Sequence, residues 1–123
     1  LCAMSKVLIV DDQFDIRRLL RAMLGKEFEI LEASDGVGAL ECLQREWPTV
    51  ILLDVMMPGE LDGLQVLDAI KANPATSHIK VAMVTAKGQA SDQLDALHRG
   101  ADAYFIKPFS PLQVVKWVRN QCR

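Results

Sequence analysis

The sequence predicts an α/β domain of (βα)5 build, with helices covering both faces of a five-stranded parallel sheet, and three observations lead there. Short runs rich in Val, Ile and Leu alternate with segments of helical period along the chain. Val7-Leu8-Ile9-Val10 and Val50-Ile51-Leu52-Leu53 are apolar at every position instead of every second one, as strands covered on both faces require. Strand starts fall roughly 20–30 residues apart, the room that right-handed βαβ crossovers need.

Strands are expected at 6–10, 28–33, 49–53, 80–85 and 103–106. After the first, Ile16, Leu19, Leu20, Met23 and Leu24 form one apolar stripe of helical period, with Arg17, Arg18 and Arg21 turned to water. After the second, Ser34 or Asp35 can cap a helix that carries Leu40 and Leu43 before Trp47-Pro48 ends it. The third helix is expected at about 63–72, with Leu64, Leu67 and Ile70 at helical spacing. The fourth, about 91–99, is expected to place Leu94 and Leu97 inward and to stop at Gly100, a natural C′ residue. The last opens with Ser110-Pro111, a capping hydroxyl followed by proline at the first helical position, and continues through Leu112, Val115, Val118 and Cys122. The stretches 58–62 and 73–78, in the longest gap between strands, read as loops.

Length and charge narrow the function classes. A chain of 123 residues suits one domain whose core needs no disulfide or metal staple, and 50% hydrophobic content argues against disorder. A net charge of −2, from 14 basic and 16 acidic residues, argues against direct nucleic-acid binding through a broad basic face. No apolar run approaches the roughly 20 residues of a membrane-spanning helix. Cys2, Cys42 and Cys122 are scattered and odd in number, so a reducing, cytoplasmic setting is expected, not a disulfide framework. Residues 1–5 are expected to be disordered or appended, with Met4 the natural start, and 6–123 to form the domain.

In an open parallel sheet, ligands bind at the carboxyl ends of the strands, near the point where strand order reverses. The first strand ends in Asp11-Asp12, the third in Asp54, the fourth in Thr85 and the fifth in Lys107. In a 2-1-3-4-5 order the first and third strands would be neighbours about 5 Å apart, which would bring three carboxylates into one crevice. Such a cluster is relieved by a hard divalent cation, and oxygen-only ligands suit Mg²⁺ better than zinc. An aspartate embedded in so apolar a stretch as Asp54 fits a solvated loop residue poorly, because burying it unpaired is costly. Paired with a metal it is a nucleophile that can be directed at phosphorus. Lys107 is the cation among these acids, and Thr85 with Ala86 offers a hydroxyl and an accessible backbone N–H. His78 and His98 read as surface residues.

Together these pieces closely resemble the receiver domain of two-component response regulators. The matching residues are Val10-Asp11-Asp12, Leu53-Asp54-Val55-Met56-Met57-Pro58, Asp62-Gly63, Val84-Thr85-Ala86, Gly100-Ala101-Asp102 and Lys107-Pro108-Phe109. The resemblance runs from about Lys6 to the C-terminus and implies the flavodoxin-like three-layer sandwich with its 2-1-3-4-5 order. It implies that Asp54 accepts a phosphoryl group from a sensor histidine kinase or a histidine phosphotransfer protein. Asp12, Asp54 and the Met56 carbonyl would hold Mg²⁺, with Asp11 assisting through water. Lys107, Thr85 and the Ala86 N–H would meet the phosphoryl oxygens. Thr85 and Tyr104 would form a switch that changes the face of the fourth helix, fifth strand and fifth helix, for an unknown output partner or a weak dimer. A cis Lys107-Pro108 bond is implied as well. The chain would be a phosphoprotein of a phosphorelay, not an enzyme.

One departure stands out: Gly59, Glu60 and Leu61 lie between Pro58 and Asp62-Gly63, one residue more than the family's commonest spacing. A changed loop is expected there, with the site kept. Met56 and Lys87 fall where relatives vary and tune hydrolysis of the phosphoaspartate. Trp117 reads as a packing residue of the last helix, ahead of a binding anchor. Three rivals are weighed. An aspartyl-phosphate phosphatase wants Asp-x-Asp after its first strand, which neither Asp11-Asp12-Gln13 nor Asp54-Val55-Met56 supplies. A flavin carrier wants a phosphate-cradling loop where two aspartates stand. A scaffold that is never phosphorylated would have no use for the complete acid–Thr–Lys set.

Overall fold

The computed structural model describes residues 4–122, so the expectation for residues 1–3 lies outside the described residues. Five strands, β1 (Lys6–Val10), β2 (Glu29–Ala33), β3 (Val50–Leu53), β4 (Lys80–Thr85) and β5 (Ala103–Ile106), form one parallel sheet in the order β2-β1-β3-β4-β5. Between and after them run α1 (Phe14–Leu24), α2 (Gly36–Arg45), α3 (Gly63–Ala72), α4 (Ala90–His98) and α5 (Pro111–Gln121). The fold class is the one the sequence predicts, and the strand order is the one the resemblance implies.

Side chains alternate across the sheet, yet both sides are closed to water. Leu8, Val10, Ile51, Leu53, Val81 and Met83 face one layer, where they meet Leu43 of α2, Leu67 and Ile70 of α3, and Ala96 of α4. Val7, Ile9, Val50, Leu52, Ala82 and Val84 face the other, against Leu20 and Leu24 of α1 and Val114 and Val118 of α5. This double cover is why β1, β3 and β4 carry no polar residue between their first and last positions.

Local chemistry sets several helix starts. The Asp35 carboxylate accepts from the Gly38 N–H at 2.7 Å to cap α2. Asp62 and Gln65 exchange side-chain and backbone bonds in a capping box that opens α3. Ser110 caps α5, with Pro111 at its first position. Gln13, at the N-cap of α1, makes no side-chain bond to its own helix. The Lys107–Pro108 bond is cis, as the resemblance implies.

The helix faces need three corrections. Leu94 and Leu97 of α4 are largely exposed, and Ala96 is the buried residue. A small side chain turned to the sheet lets α4 lie close, and the leucines then stand outward. Leu112, in the first turn of α5, is exposed, and Val114, Val115 and Val118 form the inward face. Leu19 is also exposed, so the α1 stripe narrows to Leu20 and Leu24, with Ile16 and Met23 packed at its margin. β2 and β3 each begin one residue later than expected, and α4 begins and ends one residue earlier. Trp117 packs edge-on to Phe105, with ring centroids 6.2 Å apart, and His78 and His98 lie at the surface. Among the described residues, no helix is long and apolar enough to cross a membrane.

Candidate functional site

The sheet ladder runs one residue past β1 and β3 before the chain turns away. The Asp11 N–H donates to the Ala33 carbonyl at 3.1 Å and the Asp54 N–H to the Val10 carbonyl at 3.0 Å. Both aspartates are therefore held by backbone bonds at the sheet's carboxyl edge, where Asp11 is 2% and Asp54 4% exposed. Asp12, next to Asp11, is exposed. The three carboxylates each offer an oxygen within 4.8 Å of the others.

Lys107 reaches this cluster from the far end of β5. Its ammonium donates to Asp11 Oδ2 at 2.7 Å, to Gln13 Oε1 at 3.1 Å and to Asp54 Oδ2 at 3.2 Å. The opposite carboxylate oxygens take backbone donors: Asp11 Oδ1 accepts from the Gln13 N–H at 2.9 Å, and Asp54 Oδ1 from the Met56 N–H at 3.0 Å. Burial pushes the Asp11 carboxyl above the usual aspartate range, against the pull of the Lys107 and Gln13 hydrogen bonds, and the Asp54 charge adds to the rise. Burial also works against the Lys107 charge, but the Asp11 hydrogen bond and the Asp54 charge outweigh it and raise the ammonium's pKa.

Above the acids opens a cavity of about 230 Å³ lined by Asp12, Gln13, Asp54, Met56, Ala86 and Lys107. Hard carboxylate oxygens at this spacing, with room for water beside them, fit a small divalent cation. The one ammonium among them supplies only part of the charge that three carboxylates call for. A separate groove between α2 and α3, bordered by Leu43 and Trp47, contains no charged side chain.

Thr85 and Tyr104 stand apart from the cavity. The Thr85 side chain is fully buried, and its hydroxyl accepts from the Lys87 N–H at 3.3 Å. Tyr104 is half-buried, and its hydroxyl donates to the Lys87 carbonyl at 2.7 Å. The two residues thus bond the same backbone, Thr85 at the Lys87 N–H and Tyr104 at the Lys87 carbonyl. Burial, then the Asp92 and Asp54 charges, hold the Tyr104 phenol above its ordinary pKa.

One contact and one residue of the site escape sequence reasoning. Gly63 packs its backbone against Asp54, since a Cβ there would lie 1.9 Å from the Asp54 carbonyl oxygen, and its N–H donates to the Val55 carbonyl at 2.9 Å. The Asp62-Gly63 pair signalled this position in the sequence without revealing the contact. Gln13 gave no such signal, because a glutamine after two aspartates reads as a solvated residue. The longer 58–62 loop is absorbed at the surface, with Gly59 at φ 99°.

Residues 7–119 match the family described as the response regulator receiver domain. The chain belongs to that family. Its relatives include the transcriptional regulatory protein SrrA of Staphylococcus aureus, 43% identical over 97% of this chain and 48% of that one. They also include the probable transcriptional regulator ycf27 of Cyanophora paradoxa, 40% identical over the same shares. The chain thus spans about half the length of the curated relatives it matches. Among solved structures, the chemotaxis protein CheY4 of Vibrio cholerae superposes with a TM-score of 0.88 at 29% identity, covering 96% of this chain and 98% of that one. A receiver domain is a regulatory phosphoacceptor, which fits a buried aspartate beside a lysine at the mouth of a parallel sheet.

Proposed function

We propose that Asp54 is the phosphoacceptor of this receiver domain and that Mg²⁺ is its counter-ion. The observation that carries the reading is the convergence of Asp11, Asp12, Asp54 and Lys107, from the ends of three strands, at one sheet edge, where a cavity opens against Asp12, Asp54 and Lys107. The unit is taken as residues 6–123, with 1–5 outside it.

An Asp54 carboxylate oxygen attacks phosphorus; the bond to the histidine nitrogen of the donor breaks, and the electron pair leaves with the imidazole. Such transfers depend mainly on positioning and charge neutralisation. Asp12 and Asp54, with the Met56 carbonyl, would hold the metal, and Asp11 would act through water. Bound there, Mg²⁺ supplies the charge that draws phosphoryl oxygens into an acidic site. Lys107 meets a phosphoryl oxygen directly, and the Ala86 N–H stands on the cavity wall for another. Thr85 is to turn its hydroxyl from the Lys87 N–H toward the new group.

That turn frees the Lys87 N–H, and the Tyr104 hydroxyl gives up the Lys87 carbonyl. Tyr104 then moves inward and alters the face of α4, β5 and α5, where Leu94, Leu97, Ile106 and Leu112 are exposed. The kinase or phosphotransfer protein is the input partner, in the cytoplasm. The relatives' names as transcriptional regulators support an output that acts on transcription, without direct nucleic-acid contact by this domain. A monomer or a weak dimer through the α4-β5-α5 face fits that role.

The test is incubation with Mg²⁺ and acetyl phosphate, followed by intact mass. The native protein gains one phosphoryl group, and Asp54→Ala gains none; equal labelling of the two would sink the assignment. Met56, exposed at the cavity mouth, limits the water that attacks the phosphoaspartate. Met56→Asn is expected to lose its label several-fold faster, and a decay no faster than native removes that role.

A further inference from the structure

We infer that Gln13 is a positioning residue for Lys107, one leg of a tripod that keeps the ammonium aimed at the phosphoryl site. The inference rests on Asp54 being the phosphoacceptor and adds a residue to that reaction.

An ammonium has three N–H donors, and here each has one acceptor: Asp11 Oδ2, Gln13 Oε1 and Asp54 Oδ2. When Asp54 becomes an acyl phosphate its carboxylate charge is gone, and the donor that faced it is the one free to take a phosphoryl oxygen. The other two stay with Asp11 and Gln13. With Asp11 alone, the flexible four-carbon stem of a lysine would let the ammonium swing about a single bond. A second acceptor, Gln13 Oε1 at 3.1 Å, restricts that freedom.

The placement of Gln13 fits this use. As N-cap of α1 it could bond its own helix, yet its side chain makes no such bond and lines the cavity instead. Its backbone N–H donates to Asp11 Oδ1 at 2.9 Å, which anchors the Gln13 main chain beside the other acceptor. A neutral amide also suits the place electrostatically, because a fourth carboxylate would repel the incoming phosphoryl group.

Gln13→Met keeps the length of the side chain and removes the acceptor, while Gln13→Glu keeps an acceptor at the same reach. Two measurements decide. First, the nitrogen-15 signal of the Lys107 ammonium is recorded without Mg²⁺: it is expected to be present in native protein, broadened away in Gln13→Met and restored in Gln13→Glu. Second, Asp54 phosphorylation is timed over a range of acetyl phosphate concentrations at saturating Mg²⁺. Gln13→Met is expected to lower the maximal rate about two- to tenfold, the range for losing one such hydrogen bond, with the apparent KM and the Mg²⁺ affinity unchanged. An undiminished ammonium signal or a native maximal rate in Gln13→Met overturns the inference. So does a loss confined to KM or one that tracks weakened Mg²⁺ binding. If native protein takes no label on Asp54, the phosphoacceptor reading falls and this inference with it; if native protein is labelled and Gln13→Met is labelled equally fast, only this inference falls.

Discussion

Val10 and Leu53 face each other across β1 and β3, and neither is reached by water; one residue on, Asp11 and Asp54 are almost as deeply buried but carry carboxylates. The backbone treats the two levels alike, since the ladder hydrogen bonds continue through both aspartates. The energetics are opposite. Burying Val, Ile and Leu on both faces of the strands drives folding, whereas burying Asp11 works against its ionised form even with Lys107 beside it. The interior makes the fold and the edge strains it, and the strained level is the one that can respond to a cation or a phosphoryl group.

The largest effect belongs to the interior. Ile51 is fully buried between β1 and β4, and Ile51→Ala is expected to cost roughly 2–5 kcal/mol in urea unfolding. That is a large part of the roughly 5–15 kcal/mol by which a domain is stable. A loss below about 1 kcal/mol would mean that the sheet interior is not the stabilising layer.

The edge should show the opposite sign. Asp11→Asn removes the charge and leaves an oxygen able to accept from the Gln13 N–H, so without Mg²⁺ it is expected to raise the melting temperature. The gain should be smaller than the Ile51 loss, and a destabilised Asp11→Asn would erase the contrast between the two levels. The pH profile tests the same point. Asp11 has a folded pKa above its unfolded one, so its contribution is favourable below the ordinary aspartate range and is lost as pH climbs from there to the raised value. Lys107 is also raised, so its contribution persists through neutral pH and is lost only as pH rises through its folded value in the alkaline range. In Mg²⁺-free buffer, native protein should therefore lose stability relative to Asp11→Asn as pH rises through the first window, and added Mg²⁺ should narrow the gap.

The smallest effect lies at the surface. Leu94 is exposed on a helix whose buried residue is Ala96, so Leu94→Ala should change stability by no more than about 0.5 kcal/mol. A cost of core size in urea unfolding would show that α4 contributes to the interior after all.

Much of this architecture was legible in the chain. Residues apolar at every position announced doubly covered strands, and Asp11, Asp12, Asp54 and Lys107 marked their ends before any geometry was known. The helix faces were less legible. Leu94, Leu97 and Leu112 have helical spacing, but spacing locates a stripe without saying which side of it meets the sheet, and small Ala96 took the contact. Thr85 was placed at the right strand end, yet its hydroxyl turns to the Lys87 N–H and lies outside the cavity. A side chain's choice between two nearby partners has no periodic signature.

The sequence by itself determined the elements, their alternation and the polar residues that end the strands, because these follow from local preference and from the cost of burying a charge among apolar neighbours. Only the tertiary structure decided that Lys107, 96 positions from Asp11, stands 2.7 Å from it, and that Gln13 leaves its helix cap to join them. Those contacts depend on where separate strand ends meet in space, which no local stretch of chain encodes.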